Sequence, residues 1–199
     1  MSEEEKVLSQ DKPEDRFRQI DFIMESRQRD ERNPTPGYVS DNTDEFESGV
    51  LEKVIWRSIA CVYGLLEYSH AHRSFNEYSE GLGKSLALLT KTLVSGGFLE
   101  PDDNAFGSIL ERKLNALRGI SLEQLTIAAW AYSGMALGLT RAHDTLIAGS
   151  IVSARLPLYD FCMSVLFNKT ETSNDDLNAI YTEKKDEIAG LDQKLDDAS

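Results

Sequence analysis

The residues best suited to chemistry in this sequence lie between Cys61 and His72. Glu67 and His70 are three positions apart, so a helix would place a carboxylate and an imidazole one turn from each other, as in di-iron helical bundles. Such a site also needs a second pair and further glutamates, and the sequence has no second pair. Cys61 and His72 supply two more donor atoms, but the region lacks a fourth zinc ligand. We therefore predict no metal site and no cofactor.

A second chemical motif, Gly81-Leu82-Gly83-Lys84-Ser85, has the ending of a phosphate-binding loop. In such loops backbone amides and a lysine surround phosphate groups between a strand and a helix. The full spacing requires a glycine where this sequence has Tyr78, and the motif lies within an apolar pattern of helical period. We interpret the motif as part of an ordinary helix.

Neither cysteine has the surroundings of a nucleophile. Cys61 and Cys162 are about a hundred residues apart, and both stand in apolar stretches of helical character. Free cysteines in such surroundings behave as small buried hydrophobic residues. The sequence predicts no disulfide framework, no catalytic cysteine and no catalytic residue of another type.

The elements that would position these residues are organised around the longest apolar run of the chain, from Leu125 to Leu139. Ser121 and Gln124 precede it with the spacing of a capping box, in which each side chain bonds to the backbone of the other residue. The run has few polar positions, so we predict a central helix with Trp130 and Met135 in the core.

A further apolar segment follows this central helix. Thr140 is predicted to cap a helix from Arg141 to Leu156. Pro157 lacks a backbone donor and is predicted to kink the helix or to restart it, since the apolar face continues beyond it.

The remaining apolar pattern predicts three more core helices. The first spans residues 50–66, the second follows one apolar stripe from Phe75 to Leu93, and the third begins near Asp102 and ends at Gly119. No segment alternates with a period of two between turn residues, so no strand is predicted. The predicted fold is all-α, a compact multi-helix bundle or orthogonal array with five to six core helices in residues 50–167.

Charge separates this body from two acidic arms. The formal net charge of the chain is −13. Residues 1–49 carry 14 acidic and 7 basic side chains, residues 168–199 carry 9 and 4, and the body is close to neutral. We predict that residues 1–49 are mostly disordered, with a short helix at 13–29, because their apolar content is too low to offset chain entropy.

Each arm nevertheless contains apolar residues at helical spacing, and these are the predicted partner-binding residues. In the first arm the alternative is that they pack on the core of the protein itself. The tail, residues 168–199, is predicted to form an exposed or partner-seeking helix whose apolar seam is shorter than the three to four heptads of a coiled coil. Packing of this helix on the body, a short intermolecular pair and a frayed tail are the alternatives. The predicted contact residues are Phe17, Ile20, Ile23 and Met24 in the first arm and Ile188, Leu191 and Leu195 in the second.

These features favour a non-enzymatic interaction or assembly module, such as a scaffold, an adaptor or a viral structural or cofactor protein. Its expected partners are proteins, including further copies of the chain. The acidic arms disfavour nucleic acid, for which Arg112, Lys113 and Arg118 are the nearest basic cluster. Two alternatives remain: a nucleic-acid-associated capsid or nucleocapsid-type subunit, and a helical-bundle enzyme or ligand-binding protein with a site near Glu67, His70 and His72.

The predicted location is cytoplasmic. The acidic start of the chain lacks the apolar segment of a secretory signal. The Leu125–Leu139 run is too short to cross a bilayer, which takes about 20 apolar residues, so no membrane span is predicted.

Overall fold

A computed structural model describes residues 48–141, 144–168 and 174–198. Within these ranges every regular element is a helix and there is no strand, so the predicted all-α fold is confirmed. The elements are α1 (Ser48–Ala71), a 3-10 helix (Arg73–Tyr78), α2 (Ser79–Ser95), α3 (Ala105–Ala116), α4 (Leu122–Arg141), α5 (Thr145–Phe167) and α6 (Asn174–Asp197). The predicted disordered arm, with its helix at 13–29, lies outside the described residues.

Helix α4 is the centre of the bundle. All of its residues from Leu125 to Ser133 are buried. The predicted capping box begins it: the Gln124 amide donates to Ser121 Oγ over 3.1 Å, and Gln124 Oε1 accepts from the Ser121 amide over 3.4 Å. Because its apolar residues occupy every side of the helix, α4 is stable only when other helices surround it.

Helices α1 and α5 cover two sides of α4, and α2 packs against both of them. Gly64 of α1 lies against Leu125, whereas Arg57 lies against Tyr132. Helices α1 and α4 therefore run antiparallel to each other. Helices α3 and α6 complete the bundle, with α6 packed mainly on α4.

The boundary between α4 and α5 differs from the prediction. Thr140 does not cap a helix, because its hydroxyl donates to the Ala136 carbonyl within α4 over 3.0 Å. Asp144 is the actual N-cap, in an extended conformation, and its Oδ1 accepts from the amides of Leu146 and Ile147 over 2.8 and 2.9 Å. An aspartate in this conformation satisfies two free amides at the start of a helix.

Two further elements depart from the predicted boundaries. Helix α5 continues through Pro157 to Phe167 and does not restart there. The single helix predicted from Phe75 to Leu93 is divided into the 3-10 helix and α2. The Ser69 hydroxyl stabilises this corner, since it donates to the Phe75 carbonyl over 2.5 Å and lies 2.9 Å from the Ser79 hydroxyl.

Within the described residues, α5 is the one helix that is long and apolar enough to cross a membrane by length and composition. Core helices of folded domains share these properties. In this structure α5 packs against α2 and α4.

Trp130 is confirmed as a core residue, whereas Met135 is only half-buried. We expect Trp130→Ala to lower the free energy of unfolding by about 3 to 5 kcal/mol, because the substitution removes buried surface and leaves a cavity. Met135→Ala should cost clearly less. Denaturant unfolding of both variants measures the difference, and equal losses would contradict the assignment.

Candidate functional site beside helix α6

The apolar seam of α6 packs on the bundle. Leu177, Ile188, Leu191 and Leu195 are at most 4% exposed. The prediction that the tail helix is exposed is wrong, because the helices of the body cover its seam, and the alternative of packing on the body applies. The cause is a set of polar contacts between α6 and the body that the apolar pattern does not indicate.

The first set of polar contacts lies toward the C-terminal end of α6. Arg57 Nη2 donates to Asp196 Oδ1 over 2.8 Å, and Arg57 Nη1 lies 3.5 Å from Asp192 Oδ1. The hydroxyl of fully buried Tyr132 donates to the same Asp192 oxygen over 2.5 Å. Burial, together with the nearby Asp192 carboxylate, raises the pKa of Tyr132, so the hydroxyl remains a donor. The two aspartates thus join α6 to α1 and α4.

Lys113 forms a second contact at this end of α6. Its side chain is only 4% exposed, and Nζ donates to the Leu195 carbonyl over 2.9 Å. A cation favours the last turn of a helix, where carbonyl groups lack helical partners. Burial lowers the pKa of Lys113. Arg112 and Arg118 are exposed, so the basic cluster seen in the sequence does not form one exposed patch.

The first turn of α4 holds α6 nearer its middle. Lys184 Nζ lies 3.4 Å from Glu123 Oε1, and the Gln124 side-chain amide donates to Glu187. Gln124 is therefore part of the α4 cap and of the α6 contact at once.

An open groove lies beside this contact, between α6 and the turn that connects α3 to α4. Its volume is about 340 Å³. The lining consists of apolar side chains, polar side chains and two glycines, which have no side chain to fill the space. The lining residues are Gly119, Ile120, Gln124, Glu187, Ile188, Gly190, Leu191 and Lys194.

The two glycines have different roles in the groove. Gly119 ends the turn after α3 with a φ of +84°, a conformation that other residues rarely adopt. Gly190 is an exposed helical residue of α6, and a Cβ atom added there would meet no atom within 4 Å. Gly190 thus lines the groove and has room for a larger side chain.

The structure brings only some of the predicted partner-binding residues together. Ile188 and Leu191 line the groove, and Leu195 is buried one turn further along α6. Phe17, Ile20, Ile23 and Met24 lie outside the described residues. Ile120 and Gln124 were missed as site residues, because no local pattern in the sequence shows that their turn faces α6.

The region near Glu67 does not form a cluster of chemical groups. Glu67, His70 and His72 are all exposed, and the His72 ring stacks on Tyr68 with centroids 3.8 Å apart. Within the part of the chain that the structure describes, no three His, Cys, Asp or Glu residues are grouped to hold a metal ion. His143 lies outside the described residues.

Both cysteines are fully buried, as predicted. Burial raises the pKa of each thiol, and at Cys61 the nearby Asp192 carboxylate adds to this effect. Thiols held protonated in this way are poor nucleophiles.

The Gly81–Ser85 motif has a packing role. A Cβ atom at position 81 would lie 2.9 Å from the Pro157 Cβ, so glycine lets α2 approach α5. The Ser85 hydroxyl donates to the Ala154 carbonyl of α5 over 2.5 Å. Lys84 points outward and pairs with Glu80 over 2.8 Å. The interpretation of this motif as part of a helix is confirmed.

Comparison of the chain with protein-family models, with curated proteins and with solved structures finds no match.

The packing role of Gly81 gives a matched pair of expected outcomes. Gly81→Ala should lower the free energy of unfolding by about 1 to 3 kcal/mol, because the methyl group would force α2 and α5 apart. Gly83→Ala, in the same helix with open space at Cβ, should raise it by up to about 1 kcal/mol. Urea unfolding of both variants tests this. Stabilisation by both would mean that the α2–α5 contact is not tight at Gly81.

The Tyr132–Asp192 bond is expected to stabilise α6 on the body. Tyr132→Phe should lower the free energy of unfolding by about 1.5 to 3 kcal/mol, since the hydrogen bond is made to a charged group. In this variant the amides of α6 should exchange with deuterium faster than they do in the unaltered protein, and this increase should be larger than that for the amides of α4. Tyr63→Phe, at a half-buried tyrosine of α1, is the control. Unchanged exchange in α6 would refute this account of the contact.

Proposed function

We propose that this protein is a non-enzymatic interaction or assembly module that binds a protein segment in the groove beside α6. The observation that supports the proposal is the groove itself, an open volume of about 340 Å³ with apolar and polar lining residues. Apolar pockets with a few placed polar groups are the usual form of binding sites, and this volume is at the small end of their range.

The chemistry of the lining favours a protein segment as the bound species. Ile120, Ile188 and Leu191 offer contacts to an apolar side chain, while Glu187 and Lys194 offer opposite charges on its rim. Protein interfaces commonly combine an apolar centre with a polar edge. The volume is suited to one inserted side chain and its immediate neighbours.

The walls of the groove are firmly positioned, which favours binding. The capping box orients Gln124, and Gln124 in turn donates to Glu187 on the opposite wall. Arg57 and Lys113 hold the end of α6. A site that is already ordered loses less entropy when it binds its partner.

The test fills the groove without disturbing the fold. Gly190→Phe places a ring in the groove, and Gly107→Phe places the same ring on an exposed glycine of α3 with equally open space at Cβ. The experiment is a pull-down from a lysate of the source cells with the full chain and with each variant. The full chain and Gly107→Phe should recover the same proteins. Gly190→Phe should lose them.

Equal recovery by all three proteins would remove the groove from the proposed function. Circular dichroism and thermal unfolding of both variants ensure that a lost partner reflects the groove and not an unfolded chain. Truncation before residue 174 is not a suitable control, because it would uncover the buried seam under α6.

A further inference from the structure

Leu146, at the start of α5, is the one large apolar side chain among the described residues that is strongly exposed. It is 84% exposed, whereas Ile147 and Ala148 beside it are buried. Isolated exposed apolar side chains are common, so exposure alone assigns no role to Leu146. The position of Leu146 relative to the groove is the observation that points to a role.

Leu146 and the groove lie at opposite ends of α4. Gln124, in the first turn of α4, lines the groove. At the other end the Asp144 amide donates to the Thr140 carbonyl over 2.7 Å, which fixes the start of α5 beside the end of α4. Helical rise over the intervening residues of α4 separates these ends by about 25 Å. Leu146 therefore cannot enter the groove of its own chain.

We propose that the groove beside α6 takes Leu146 of a second copy of this chain, so that copies associate head to tail. An apolar side chain near one end of α4 and a complementary groove near its other end make a heterologous contact when they belong to different copies. Such a contact leaves one free Leu146 and one free groove on every pair. Further copies then add in a ring or an open chain. This inference rests on the proposed role of the groove and specifies its partner.

Size and charge both suit this occupant. The groove has the volume for one leucine side chain, and Ile120, Ile188 and Leu191 line it. Asp144 adds a negative charge two residues before Leu146, and the groove rim carries both Lys194 and Glu187, so Asp144 is attracted to the Lys194 side and repelled from the Glu187 side. Opposite charges at the edge of an interface favour one orientation of approach.

The test uses two variants that each remove one half of the contact. Leu146→Asp removes the apolar side chain and keeps α5 intact, because an acidic residue is favourable in the first turn of a helix. Gly190→Phe fills the groove. Ser153→Asp, at an exposed position of the same α5, and Gly107→Phe are the matched controls.

Sedimentation velocity over a wide concentration range provides the measurement. The average mass of the full chain and of both controls should rise with concentration past that of a dimer. Leu146→Asp alone and Gly190→Phe alone should each remain monomeric. A mixture of the two should form a dimer and nothing larger, because the groove of one and the Leu146 of the other make a single contact.

Three results would overturn this inference: a full chain that stays monomeric, a full chain that stops at a dimer, or a mixture that does not associate. The groove function is tested separately by the pull-down. If Gly190→Phe loses captured proteins while the full chain stays monomeric, the groove binds a different partner and the head-to-tail contact is wrong.

Discussion

The burial of α4 is the constraint on which the rest of the structure depends. Its residues from Leu125 to Ser133 present no polar face to solvent, so the bundle has to supply helices on every side of it. Helices α1 and α5 do so directly. Both run antiparallel to α4: Arg57 and Gly64 of α1 lie against it in reversed order, and so do Arg155 and Cys162 of α5.

Helix α6 is held by a different balance of forces from the other helices. Four of its side chains form a thin apolar seam, which by itself would be a weak attachment. The added stability comes from cations and a hydroxyl of the body, namely Arg57, Lys113 and Tyr132, whose partners are carboxylates and a carbonyl of α6. Breaking such partly buried pairs costs more than breaking surface pairs, because the remaining charge is left poorly solvated. The net acidity of the tail is therefore partly structural.

Sequence predicted those parts of the fold that depend on local pattern. The capping box at Ser121, the apolar run after it and the end of α2 at Gly96-Gly97 can all be identified from a few adjacent residues. The start of α5 was misplaced because Thr140 and Asp144 are both acceptable caps, and only the backbone conformation distinguishes them. The burial of α6 was missed because its partners are far away in sequence, as with Arg57 and Asp196.

The same limit applies to the candidate site. Ile188 and Leu191 could be selected from apolar spacing, but the opposite wall of the groove comes from Ile120 and Gln124 in another part of the chain. A single sequence does not indicate which turn faces which helix. Gly190 illustrates the difficulty, since a glycine inside a helix is ordinarily a weakness, and only the packing shows that it opens a surface.

The polar contacts between α6 and the body also affect how the protein folds during its synthesis. Helix α6 is synthesised after the other described helices, so α1, α3 and α4 are complete before Asp192 and Asp196 exist. Until then Arg57 lacks its contacts with these two carboxylates and Lys113 lacks its contact with the Leu195 carbonyl, and the apolar surface that receives Leu191 and Leu195 is open to water. Nascent chains in this condition are prone to aggregate and are typical substrates of chaperones. Completion of the fold therefore depends on the arrival of the last turns of α6.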